Sequence, residues 1–151
     1  MNVHKLTHLI YTSSAAPGFD TTQLKSILRT ARRNNSRRVV TGMLLYSVGS
    51  FFQVLEGEEA TLLELFAIIA TDPRHRNVTK IIQEPIARRV FGDWTMGFSA
   101  LEPAELSGIE GFSDFFQQGI SLTNLQSGRA KKLLWAFAQN RWRARLDGIT
   151  A

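Results

Sequence analysis

Val39-Val-Thr-Gly-Met-Leu-Leu-Tyr46, then Ser47-Val-Gly-Ser50, then Phe51-Phe-Gln-Val-Leu-Glu-Gly57: two apolar runs flank a short connection of turn-forming residues. Runs of this length with such punctuation predict the two strands of a buried hairpin. Side chains alternate along a strand, so Gln53 shares a face with Phe51 and Leu55. A buried carboxamide has two N–H donors and an acceptor oxygen, and leaving one bare costs roughly 1–3 kcal/mol. A polar group must therefore meet Gln53 inside the protein. Nearby backbone meets this need as well as a ligand does, and the stretch alone leaves both open.

The rest of the chain reads outward from that hairpin. Lys5 to Ser13 alternates well enough for a first strand. Asp20 is placed to cap a first helix, with Gln23 three residues on in a capping-box-like pattern. Leu24, Ile27, Leu28 and Ala31 give this helix an apolar face, Lys25, Arg29, Arg32 and Arg33 point elsewhere, and it is expected to end near Asn34-Asn35. Glu58 and Glu59 suit the first turn of a second helix. Its stripe is Leu62, Leu65, Phe66 and Ile69, and Asp72-Pro73 stops it. Val78 to Ile86 and Trp94 to Leu101 are expected as fourth and fifth strands, with Trp94, Met96 and Phe98 on one face.

Five strands interleaved with two amphipathic helices predict an α+β fold. It is a ferredoxin-like five-stranded sheet with both helices on one face. Residues 1–101 are assigned to this domain and residues 102–151 to a C-terminal helical extension. In the extension Pro103 to Gln118 and Leu125 to Leu146 look helical. Ala130, Leu133, Leu134 and Phe137 fall on one side, and the second helix is expected to cover the sheet face left bare by the first two.

Composition narrows the function classes. The chain has 151 residues, 44% of them hydrophobic and 21% charged, which is ordinary for one globular domain with an appendage. No apolar run approaches the ~20 residues of a membrane span, and the N-terminus lacks a signal-peptide pattern. A cytoplasmic protein with no membrane partner is the expectation. The absence of cysteine excludes disulfides, thiolate metal sites and a cysteine nucleophile. A net charge of +5 invites a nucleic-acid reading, but the basic residues fall in separate clusters.

Catalytic equipment is sparse. His4, His8 and His75 lack metal-ligand spacing, and no serine stands in a nucleophile-elbow context. Asp72 and His75 read as helix-end and loop residues. The chain is therefore not expected to be an enzyme. A planar ligand fits better, since two helices side by side on a sheet leave an apolar slot. Ile27 and Ile69 are suited to sandwich a flat ring, with Tyr11, Asn34, Asn35 and Gln53 as polar groups at its edge.

Six segments taken together resemble the BLUF family of blue-light sensors that use FAD. They are His8-Leu-Ile-Tyr11-Thr-Ser13, Arg33-Asn34-Asn35, Thr41-Gly-Met-Leu-Leu-Tyr46, Phe52-Gln53-Val-Leu-Glu-Gly57, Asp72-Pro-Arg-His75 and Phe91-Gly-Asp-Trp94-Thr-Met96. The tail shows no recognisable cyclase or diesterase domain, so the resemblance is to the short, stand-alone members.

The resemblance implies FAD as cofactor and a role for each residue. Asn35 would match C4=O and N3 of the flavin, with Asn34 beside it. Gln53 would lie between flavin and Tyr11, which would give up an electron and then a proton. Gln53 would relay the proton and end rotated or tautomerised, shifting the absorption to the red. Trp94 and Met96 would carry the output, and Asp72, Arg74 and His75 would lie near the ribityl–phosphate end.

A downstream signalling protein of unknown identity and homo-oligomerisation are the expected partners. A ferredoxin-like nucleic-acid-binding domain is the runner-up, suggested by the basic balance and the tail helix, but an RNA-binding sheet would need aromatics on an open face and here they sit in apolar strands. A small hydrolase built on Asp72 and His75 ranks third.

Overall fold

The computed structural model describes residues 5–92, 95–100 and 126–138. In chain order they form β1 (Leu6–Ala15), α1 (Thr21–Arg38), β2 (Thr41–Ser47), β3 (Ser50–Glu58), α2 (Glu59–Ala70), β4 (His75–Pro85), β5 (Gly97–Ala100) and α3 (Ser127–Ala138). Four strands make an antiparallel sheet in the order β4-β1-β3-β2. The short β5 runs parallel along the other edge of β2, from Met43↔Gly97 to Tyr46↔Ala100.

The predicted hairpin is β2–β3, closed by Val48-Gly49 with φ of 43° and 75°. Two positive φ values are the mark of the hairpin turn whose twist matches its strands. Glycine takes such a conformation freely, whereas β-branched Val48 is held there by the pairing around it. The register then sets Gln53 opposite Leu44 on one side and Tyr11 on the other.

Both faces of the sheet are covered, which explains why β2 and β3 read as nearly unbroken apolar runs. Toward α1 and α2 point Leu9, Tyr11, Leu44, Phe51 and Leu55, which meet Leu24, Leu28, Leu62 and Leu65. Toward α3 point Ile10, Met43, Leu45, Phe52 and Val54, which meet Ala130, Leu133 and Leu134. The described part of the second tail helix thus lies on the face expected for it, with Trp135 exposed. The Pro103–Gln118 helix, Trp142 and the side chain of Phe137 lie outside the described residues. Buried Glu56 accepts from the Thr41 hydroxyl (2.9 Å) and from the N–H groups of Val90 (2.6 Å) and Phe91 (3.0 Å). Its carboxylate thereby ties the chain after β4 to the sheet.

Four boundaries differ from those predicted. Helix α1 does not stop at Asn34-Asn35 but runs through both to Arg38, where Val39 turns left-handed at φ 57°. The asparagines signal a helix end only when their side chains cap it. Here Asn34 Oδ1 accepts from Arg37 Nη2 (3.2 Å) and Asn35 reaches another segment. Strand β1 runs on past Ser13 to Ala15, and β4 begins at His75, because Ser14 pairs with Arg76 and Ala15 with His75. His75 is therefore a strand residue, not a loop residue. Finally, β5 begins at Gly97, leaving Met96 just ahead of the strand, while Trp94 lies outside the described residues.

Candidate functional site

The amphipathic faces of α1 and α2 leave a cleft of about 670 Å³, its open mouth included, above the sheet. Sheet residues Tyr11, Leu44, Gln53 and Leu55 line it, as do Ile27 of α1 and Leu65 and Ile69 of α2. Asn34, Asn35, Asp72, Arg74 and His75 also border it. Every residue expected to hold a cofactor therefore borders one cavity, although they come from β1, α1, β3, α2, β4 and the α2–β4 connection. Thr30, Ala31 and Ile68 line it as well and were not foreseen. Their small or apolar side chains carry no chemical signature in a sequence.

A buried polar relay runs beneath the cleft. Tyr11 donates its phenolic hydrogen to Gln53 Oε1, and Gln53 Nε2 donates to Met96 Sδ at 3.3 Å. Burial, reinforced by the negative charge of Asp72, pushes the Tyr11 phenol far above its ordinary range, so the hydroxyl stays protonated at any physiological pH. A thioether is a weak acceptor. The partner demanded by the Gln53 carboxamide is thus strong at its oxygen and weak at its nitrogen.

Two side chains of α1 reach across to the segment that carries Met96. Asn35 Nδ2 donates to the Thr95 carbonyl at 2.7 Å, and Arg32 Nε donates to the Met96 carbonyl at 3.0 Å. Asn35 is 1% exposed, and its amide has a second N–H and an oxygen with which to meet a ligand. Arg32, assigned from its charge to the outer side of the helix, instead turns inward and is half-buried. Its spacing of three from Asn35 is the signal that could have found it, since such pairs share a helix face.

Around the α2–β4 connection the charged groups are mutually committed. Asp72 Oδ2 lies 2.6 Å from Arg74 Nη2, and Arg74 Nη1 donates to Ser26 Oγ at 3.1 Å. The hydrogen bond and charge of Arg74 hold the Asp72 carboxyl below its usual range. His75 Nε2 donates to the Ile69 carbonyl at 2.7 Å, and Nδ1 pairs with Ser13 Oγ at 2.9 Å. Asp72 and His75 are thus each occupied elsewhere, against the hydrolase reading. Among the described residues no cluster of His, Cys, Asp and Glu suits a metal ion, and no helix is long and apolar enough to cross a membrane.

The donor set suits a flat heterocycle that both accepts and donates at its edge. It offers three carboxamides, a phenol and aliphatic walls. The nucleic-acid reading finds no support. The core aromatics of β1, β2 and β3 lie beneath helices, so the described sheet has no open aromatic face.

Comparison with known proteins points to one family. The sequence model described as "BLUF: Sensors of blue-light using FAD" matches residues 6–97. The photoactivated adenylate cyclase subunit beta of Euglena gracilis is 39% identical over 92 residues, covering 60% of this chain and 11% of that protein. The chain thus spans about a tenth of the length of such cyclase relatives. Among solved structures, BlrB, a BLUF protein in its dark state, has a TM-score of 0.74 at 29% identity, covering 91% of this chain and 98% of that one. The photo-activated state of BlsA has a TM-score of 0.78 at 26% identity, covering 88% of this chain and 94% of that one.

Proposed function

The chain belongs to the BLUF family, the sensors of blue light using FAD, and we propose that the cleft between α1 and α2 seats the flavin ring and that the Tyr11–Gln53–Met96 relay reads out its excitation. The observation that carries this reading is the Gln53 carboxamide, buried in an apolar strand, with a phenol on its oxygen and, among the described residues, a sulfur on its nitrogen. When bound, the flavin supplies blue-light absorption and an excited state strong enough to oxidise a phenol.

The chain's own residues do the rest. Ile27 and Ile69 flank the ring, and the free N–H and oxygen of Asn35 pair with its edge. Asp72, Arg74 and His75 lie toward the rest of the cofactor, where Arg74 can serve a phosphate only by sharing its guanidinium with Asp72.

Tyr11 is held neutral in the dark by burial. Loss of an electron makes a phenol strongly acidic, so its proton moves along the existing bond from Oη to Gln53 Oε1. Protonated at oxygen, the carboxamide could pass a proton from Nε2 to the edge of a bound flavin, which would have taken the electron, and would no longer hold Met96 as before. On return of the electron the proton goes back to Tyr11, and Gln53 is left rotated or tautomerised. The changed hydrogen bond at the flavin edge appears as a red shift.

We further read β5 as the fifth strand of a ferredoxin-like sheet, residues 1–101 as the sensor and residues 102–151 as a helical extension. The chain is a non-enzymatic, cytoplasmic, homo-oligomeric receptor that acts through contacts with another protein. Trp94 shares the output role with Met96. The test is optical. Purified protein should be yellow, carry stoichiometric FAD and show a reversible red shift under blue light. Colourless protein that takes up no added FAD would refute it.

A further inference from the structure

We infer that Arg32 is a positioning residue of the photocycle: its hydrogen bond to the Met96 carbonyl holds the Met96 sulfur against Gln53 and so sets how fast the lit state decays. The inference rests on the reading of Gln53 as the group that rotates.

Three bonds make the case. Arg32 Nε to Met96 O is 3.0 Å, Asn35 Nδ2 to Thr95 O is 2.7 Å, and Gln53 Nε2 to Met96 Sδ is 3.3 Å. The two side chains of α1 grip consecutive carbonyls just before β5 begins at Gly97. A thioether on three rotatable bonds is flexible, and its contact with Gln53 survives only where the backbone beneath it is fixed. Asn35 borders the cleft and has a ligand to serve; Arg32 does not border it. Among the described contacts, the bond to the Met96 carbonyl is the route by which Arg32 reaches Gln53. Its guanidinium is charged at every working pH, which makes the grip constant in dark and light.

The consequence is kinetic. Return to the dark state requires the Gln53 amide to find its acceptor again. With Arg32 in place the sulfur stays where the amide will look for it. Without that bond the segment wanders, and recovery slows.

The experiment compares thermal recovery of the red-shifted state, with FAD bound, in wild type, Arg32→Met, Arg32→Lys, Met96→Leu and the double variant Arg32→Met/Met96→Leu. Arg32→Met keeps an aliphatic stem and removes the donor. It should retain FAD and the full red shift yet recover about three- to tenfold more slowly, the factor one net hydrogen bond is worth. Arg32→Lys, which restores a cationic donor, should lie between the two. In the Met96→Leu background, where no sulfur remains to be placed, Arg32→Met should change the rate by less than about twofold.

Recovery at the wild-type rate in Arg32→Met would overturn the inference, as would an equal slowing with and without Met96. If Arg32→Met loses FAD, Arg32→Lys carries the same comparison, and a wild-type rate there overturns it too. A wild type that binds FAD but never shifts refutes the photochemical reading itself, and is thereby told apart from a failure of this inference alone.

Discussion

Tyr11 and Gln53 stand directly opposite each other in the antiparallel register of β1 and β3, and the phenol of one donates to the carboxamide oxygen of the other. Strand pairing alone brings these two side chains to the same face, 42 residues apart in sequence. The Tyr11–Gln53 half of the relay is thus built into the sheet, whereas Met96 joins it from the segment just before β5.

Gln53→Leu keeps the volume but can neither donate nor accept. FAD should still bind, while the red shift disappears. A full, slowly recovering red-shifted state, seen by absorption after a blue flash, would remove the glutamine from the mechanism.

Tyr11→Phe deletes the proton that the buried phenol holds so firmly. The red shift should be lost, or at least tenfold reduced in quantum yield, with little loss of bound flavin. Retention of a wild-type photocycle would take Tyr11 out of the donor role.

Asn35→Ala should act on binding, and also on the segment before β5, because the side chain serves both. Losing one hydrogen bond to the ligand should weaken FAD affinity by about three- to tenfold, read by fluorescence titration. Unchanged affinity together with an unchanged dark spectrum would place the ring elsewhere.

Met96→Ala removes the acceptor of the Gln53 amide without touching Tyr11 or Asn35. The red shift should persist while its structural consequence shrinks. Hydrogen exchange in dark and light reads this out, with α3 (Ser127–Ala138) as the reporter on the far face of the sheet. Rearranging one hydrogen bond is worth roughly 1–3 kcal/mol, against about 5.5 for a full population reversal, so the difference should be partial. An identical light-induced change in wild type and variant would rule out this route.

The Asp72–Arg74 pair makes a pH-dependent prediction. Arg74 lowers the folded-state pKa of Asp72 below its ordinary 3.8, so the stabilisation is complete above that value and is lost as pH falls through the folded pKa. Asp72→Asn should therefore lower stability at pH 7, and the gap to wild type should narrow as pH falls through the folded-state pKa of Asp72. Thermal melts of both proteins across pH 2–7 test it, and a gap that stays constant to pH 2 would contradict it.

The physical pattern of the chain determined by itself the hairpin, the order of strands and helices, the need for a polar partner at Gln53 and the apolar slot with Ile27 and Ile69. These follow from period, turn chemistry and the cost of bare buried amides, all of which are local. Motif spacing added the family. Local pattern could not show that α1 runs on through Asn34 and Asn35, because whether an asparagine caps a helix or reaches outward depends on what lies across from it. Nor could it show that Met96 rather than backbone meets the Gln53 amide, or that Arg32 turns inward to hold Met96. Those contacts join residues 43 and 64 positions apart, so only the folding of α1 and the segment before β5 against one sheet decides them.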